Sequence, residues 1–241
     1  KAYRFRLYPN DSQRILIHKT FGCARFVYNY FLDKCKKVGY IKAYDMCKEL
    51  KDLYEEYPFL KEVDSCSLRC SIFNLEDSYN NFFAKRSGYP SFKNKFSKQS
   101  YRTNCIRNTY KGTNYSNIAI FKKDNQIKLP KLGLVSIKGY RNLESINGRI
   151  INATIERECT GKYYVSVIVE EVEVARSKKI PTSIVGIDLG VKDLVITSEG
   201  KKYSNPKELL KREKQLKRLQ RKLSRQVKGS KNYTKTKIRI A

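Results

Sequence analysis

Ser183-Ile184-Val185-Gly186-Ile187-Asp188-Leu189-Gly190 is the stretch that decides how this chain is organised. Its apolar run predicts a buried strand, and Val191 to Thr197 predicts a second one ahead of a Glu199-Gly200 turn. Side chains alternate along a strand, so Val185, Ile187 and Leu189 share one face while Gly186, Asp188 and Gly190 share the other. The aspartate then stands on a face cleared of bulk, where a metal ion, a phosphate or another backbone can approach. The same residues also fit a strand ending in an ordinary Asp-Leu-Gly turn, and the octapeptide alone leaves both readings open.

Upstream, the polar stretch from Arg176 to Thr182 reads as a boundary. Before it, Ile151 to Glu158 and Lys162 to Val174 flank Cys159-Thr160-Gly161 as a β-hairpin, and Ile118–Phe121, Gln126–Leu129 and Leu134–Ile137 read as strands. The opening Ala2 to Tyr8 alternates apolar and basic residues until Pro9 stops it. A small barrel or curled sheet follows, built from residues 1–10 with 103–176. The segment 11–102 is helical: Asn10 or Asp11 caps a helix running to about Lys37, and a further helix runs from Ser65 or Ser67 to about Lys85. Ala43 to Asp64, locally acidic, faces solvent.

Charge narrows the partner. The 241 residues carry 51 Lys and Arg against 23 Asp and Glu, a formal charge of +28, which calls for a polyanion. No apolar run approaches the roughly 20 residues of a bilayer span, and Lys1 to Asn10 lacks the apolar centre of a secretion signal. No membrane partner is expected, and the expected location is the cytoplasm or nucleoid. Seven scattered cysteines then read as reduced thiols; without a Cys-x-x-Cys pair, and with His18 the only histidine, no zinc site is expected within the segment.

Between Ser78 and Lys123 there is no acid at all. Lys85, Arg86, Lys93, Lys95, Lys98 and Arg102 are interleaved there with Tyr89, Phe92 and Tyr101, offering cations to phosphates and rings to unpaired bases. The bland alternative is a solvated loop with its aromatics buried beneath. Lys19 and Arg25 extend the basic set along the first helix, and Arg4 and Arg6 along the opening strand. Downstream, Leu209 to Val227 reads as a helix, and residues 201–241 hold sixteen Lys or Arg against two acids.

Val185-Gly186-Ile187-Asp188-Leu189-Gly190-Val191-Lys192-Asp193-Leu194 resembles the first RuvC motif of the TnpB/OrfB family of insertion-sequence transposons and the related type V CRISPR nucleases. Three further stretches match in the same order: Tyr3 to Pro9; Tyr89-Pro90-Ser91-Phe92-Lys93 leading to Gln99-Ser100-Tyr101-Arg102; and Lys128-Leu129-Pro130-Lys131-Leu132-Gly133, which adds Lys128 and Lys131 to the candidate contacts. The resemblance implies an α+β protein: a β-barrel-like wedge domain (1–10 with 103–176), an inserted helical recognition domain (11–102), then the start of a RuvC/RNase H-like α/β domain (183–241). It further implies a guide RNA, a target DNA and Mg²⁺-dependent DNA cleavage, with Asp188 as catalytic, metal-ligating carboxylate. The family's other carboxylates and its zinc module lie beyond these residues. The chain is therefore expected to bind RNA without cutting DNA by itself, as a truncated gene product or one part of a split enzyme completed by a C-terminal RuvC/zinc fragment. A cleavage-inactive guided repressor and a general basic RNA-binding protein are the alternatives.

Overall fold

The computed structural model describes residues 1–96, 98–110, 113–139, 143, 146, 148–170 and 183–241, with the side chains of 108–110 and 113–115 left aside. Two compact units divide the chain, Lys1–Val172 and Glu173–Ala241. Each stands by itself below, and the expected boundary stretch 176–182 lies outside the described residues.

The first unit mixes a helical bundle with an antiparallel sheet. Strand β1 (Ala2–Tyr8) leads into helix α1 (Asp11–Val38), whose start is fixed by a capping box in which the Asn10 side chain accepts from the Gln13 N–H and Gln13 reaches back to the Asn10 N–H. Gly39, at φ 92°, ends it. Helix α2 (Ala43–Glu56), a 3₁₀ turn (Pro58–Glu62) and helix α3 (Ser65–Phe83) complete the bundle. There follow β2 (Gln99–Asn104), the small hairpin β3 (Arg107–Tyr110) and β4 (Thr113–Ser116), β5 (Ala119–Phe121), β6 (Gln126–Leu129), β7 (Gly133–Lys138), β8 (Arg149–Arg157) and β9 (Tyr163–Glu170).

Seven of these strands form one sheet in the order β2-β8-β9-β1-β7-β6-β5. Strand β1, first in the chain, lies at its centre, antiparallel to both β9 and β7. The ladder is open among the described residues, which corrects the barrel-like expectation. The physical reason is at the β2 edge, where α3 sits: Asp64 accepts from the Thr103 hydroxyl at 2.6 Å, and the Asn104 N–H donates to Cys66 Sγ at 3.3 Å. At that edge a helix stands where a closing strand would have to pair.

Alternation gives the sheet two faces. Tyr3, Phe5, Leu7, Val165, Val167 and Ile155 point inward onto Ile17, Phe21 and Ala24 of α1. Further along, α1 turns Val27, Phe31, Leu32 and Cys35 into a second core with α2 and α3. One 28-residue helix thus joins both cores, so sheet and bundle are a single packed body. Close approach at Gly139 seals one end, since a Cβ there would meet the Phe5 ring at 2.5 Å.

In the second unit, β10 (Ile187–Asp188), β11 (Asp193–Thr197) and β12 (Lys202–Ser204) form a three-stranded antiparallel sheet. Helices α4 (Glu208–Ser224) and α5 (Lys231–Ile240) follow. The expected buried strand at 183–190 is corrected on two counts. Only two of its residues are in the ladder, and Ile184, Ile187 and Leu189 are 89%, 64% and 75% exposed. Apolar composition makes a strand buried only when a second layer covers it, and none does among the described residues.

Candidate nucleic-acid interface

Four of the anticipated cations meet around one cavity of about 460 Å³ between α1, α3 and β2. Arg25 enters from α1, Arg102 from β2, and Lys93 and Lys98 from the segment that joins α3 to β2. Ser67, Ser71 and Asn74, at helical spacing along α3, form the opposite wall. No carboxylate is among the described lining residues, so positive charge there is unbalanced from within.

Each cation is positioned by a distinct device. Asn29 clamps the Lys93 backbone from both sides, donating to its carbonyl and accepting from its N–H, both at 2.8 Å. The Lys93 ammonium lies 3.8 Å from the Tyr28 ring centroid, and burial holds its pKa below the ordinary lysine value. Arg25 reaches Gln99 Oε1 at 3.4 Å, and Arg102 Nε is buried with no hydrogen-bond partner. A buried N–H left without an acceptor is costly, and a phosphate oxygen would satisfy it.

Lys98 pairs with Glu156 at 2.9 Å, and that glutamate also receives Arg4. Desolvation works against ionising Glu156, but the hydrogen bonds and charges of Lys98 and Arg4 outweigh it and hold its pKa below the usual carboxylate value. Glu156 therefore joins the cavity to the outer face of the sheet. There Arg4 lies 4.2 Å from the Tyr164 ring centroid, and Arg6, between Tyr164 and Lys138 across the strands, lies 5.2 Å from the Tyr8 ring.

The anticipated aromatics separate into two kinds. Tyr89 and Phe92 are 46% and 47% exposed; Phe92 lies 4.1 Å from the Lys36 ammonium, and Tyr89 is braced by a 2.8 Å hydrogen bond to Tyr79. Tyr101 is corrected: it is 6% exposed, packs edge-on against Phe21 at 5.7 Å, and burial raises its phenol pKa. A ring enclosed in the core cannot stack on a base, because Tyr101 is turned inward onto Phe21. Lys36, Asn29 and Tyr164 were not anticipated; each acts on a partner distant in sequence.

The remaining candidates are dispersed. Lys19 pairs with Glu62, Lys85 and Arg86 are exposed beyond the end of α3, and Lys95 lies 5.3 Å from the Phe96 ring. Lys128 is exposed on β6, and Lys131 sits at φ 63° in the β6–β7 turn.

Asp188 is exposed in the second unit, opposite Ile196 of β11. Its neighbouring glycines answer to local packing. A Cβ on Gly190 would meet the Asp193 carbonyl oxygen at 2.9 Å, and one on Gly186 would touch the Ser198 side chain at 3.4 Å. No group of three or more His, Cys, Asp or Glu able to hold a metal exists among the described residues. Among the described residues Asp188 is not joined by the further carboxylates that holding Mg²⁺ would require.

Two family models match the chain, both of OrfB proteins. One, described as a helix-turn-helix domain, covers residues 1–40, and the other, described as a probable transposase, covers 166–241. A putative RNA-guided DNA endonuclease of Streptomyces pristinaespiralis is 31% identical, and the putative RNA-guided DNA endonuclease InsQ of Escherichia coli is 32% identical. Both alignments take in all of this chain and 58% of the relative. The chain belongs to the TnpB/OrfB family of insertion-sequence transposons, and it spans a little over half the length of those two relatives. A chain in a cryo-EM structure of a CRISPR-Cas12f ternary complex aligns at 14% identity and a TM-score of 0.40, over 94% of this chain and 55% of that one, a likeness too loose to argue from. Residues 1–40 themselves form a strand and a single helix; the turn and second helix come at 39–56. No helix among the described residues is long and apolar enough to cross a membrane.

Proposed function

We propose that this chain is the nucleic-acid-binding portion of an RNA-guided DNA endonuclease, holding a guide RNA and target DNA and contributing Asp188 to the nuclease centre. In this reading the open sheet takes the wedge role, α1 to α3 the recognition role, and 183–241 begin a RuvC-like domain. The observation that carries it is the meeting of Arg25, Lys93, Lys98 and Arg102 at one acid-free cavity, continuous through Glu156 with the Arg4 and Arg6 face. Exposed Tyr89 and Phe92 add stacking surfaces, as expected for a protein that reads backbone and shape while pairing reads sequence. The names of the two relatives support the endonuclease assignment.

Cleavage needs more than Asp188. Mg²⁺ would bind there only with further carboxylates, supplied by a C-terminal RuvC segment. The test is to sequence the RNA that copurifies with the chain. A transposon-end transcript, depleted in an R25Q/R102Q variant, is the expected result, whereas bulk ribosomal RNA sinks the reading. Supplied with that RNA, Mg²⁺ and matched DNA, the chain is expected to bind without cutting; cleavage abolished by Asp188→Ala would overturn the inactive-alone part.

A further inference from the structure

Helix α4 has no buried residue, and one face of it carries Lys214, Lys217, Arg218, Arg221, Lys222 and Arg225 at i, i+3, i+4, i+7, i+8 and i+11. Glu213 neutralises Lys217, at 2.6 Å, while Lys214, Arg218, Arg221, Lys222 and Arg225 have no ion-pair partner among the described residues. The row extends about 16 Å at 1.5 Å per residue. That length can follow several successive phosphates of one strand.

At its end the row meets Gln226, which lines both this furrow and a second one between α4 and α5 shared with Lys222, Asn232, Lys235 and Arg239. Gln226 Oε1 is buried and accepts no hydrogen bond. An orphan acceptor ringed by cations suits a ligand that brings negative charge and an O–H donor together. Ribose supplies both: its phosphates are anionic, and its 2′-hydroxyl donates. Deoxyribose lacks that donor.

We infer that the α4–α5 hairpin is an RNA-backbone clamp, with Arg218, Arg221 and Arg225 on successive phosphates and Gln226 reading a 2′-hydroxyl. This rests on the RNA-binding reading above and assigns the hairpin to RNA rather than to the DNA strands. The strand is contacted through its backbone without regard to base, because no aromatic lines either furrow among the described residues.

The test uses the full 241-residue chain and a labelled single-stranded RNA, with a DNA of the same sequence, in anisotropy titrations across a range of potassium chloride concentrations. R218Q/R221Q/R225Q is expected to reduce the slope of log affinity against log salt by about 2, at roughly 0.7 per phosphate on a single strand. Q226L is expected to weaken RNA about five- to tenfold, the value of one ordinary hydrogen bond, and to leave DNA unchanged. An unchanged slope overturns the phosphate contacts, and equal loss on RNA and DNA, or no loss on either, overturns the 2′-hydroxyl contact. Circular dichroism confirms that the helices persist in each variant. An oligonucleotide of arbitrary sequence keeps this outcome separate from the identity of the copurifying transcript.

Discussion

Asp64 couples the two walls of the cavity, and its removal should show how much that coupling contributes. As N-cap of α3 it accepts from the N–H groups of Cys66 and Ser67 at 3.1 and 3.2 Å, and from β2 it receives the Thr103 hydroxyl. Loss of such a cap costs about 1 kcal/mol. The charge-assisted bond from Thr103, a residue with no exposed surface, adds about 1.5–3 kcal/mol, since its hydroxyl would be left buried and unmet. Asp64→Ala should therefore destabilise the first unit by about 2–4 kcal/mol, which lowers the urea midpoint by about 1–2 M at slopes of about 2 kcal/mol per M. The buried tyrosines, Tyr3, Tyr28, Tyr79, Tyr101 and Tyr163, all lie in this unit, so near-ultraviolet circular dichroism follows it selectively. Asp64→Asn keeps the cap and should lose less. In a double-mutant cycle with Thr103→Val, the coupling should exceed about 1 kcal/mol. A midpoint for Asp64→Ala within error of the parent, or additive losses in the cycle, would refute the idea that this carboxylate fastens α3 to the sheet edge.

Glu156→Gln should free Lys98 for phosphate while Arg4 keeps its 2.7 Å pair with Glu158, steepening the salt dependence of RNA binding by about 0.7–0.9. Because the folded-state pKa of Glu156 is lowered, the stability it contributes is present above its unfolded value of about 4.3 and lost as pH falls through the folded value; the glutamine variant should show a flatter acid limb in melting temperature against pH. Tyr101→Ala should cost about 3–5 kcal/mol as a core truncation, whereas Phe92→Ala should leave stability within about 0.5 kcal/mol and weaken RNA by about 1–3 kcal/mol of lost stacking. Equal effects in urea titration and anisotropy would refute the division between the two rings. Gly190→Ala should force apart the turn between β10 and β11, seen as faster amide exchange at Ser198, whose N–H donates to the Gly186 carbonyl at 2.8 Å, and unaltered exchange would contradict the close approach of Asp193.

Elements with local signals were legible in the sequence. Asn10 and Gln13 announce the start of α1, Cys159-Thr160-Gly161 announces the β8–β9 turn, and Gln126–Leu129 is a strand to the residue. Strand β2 was hidden because Gln-Ser-Tyr-Arg-Thr-Asn shows only two inward positions, Tyr101 and Thr103, and one of those is polar. Its partner is β8, about fifty residues away, and its outer edge belongs to α3. Nothing in six mostly polar residues encodes either neighbour. The error at 183–190 is of the other kind: apolar composition records what a strand is suited to bury, while exposure depends on whether another layer covers it.

Charge and convergence differ in the same way. An acid-free run is visible in any sequence and marks a segment that repels cations and attracts phosphate, but it does not say which cations meet. Of the run's basic residues, Lys93, Lys98 and Arg102 line the cavity, while Lys85 and Arg86 lie exposed beyond the end of α3, and the fourth cation, Arg25, comes from α1. The selection is made by contacts a pattern cannot show, chiefly the Asn29 clamp on Lys93 and the pairing of β2 with β8. Asp188 illustrates the converse. Its motif resembles the family's together with three other stretches in the same order, yet a metal centre requires several carboxylates brought together, and among the described residues no group of three potential ligands forms. In the function proposed for this chain, binding rests on residues that its own fold assembles, and catalysis would need further carboxylates brought to Asp188.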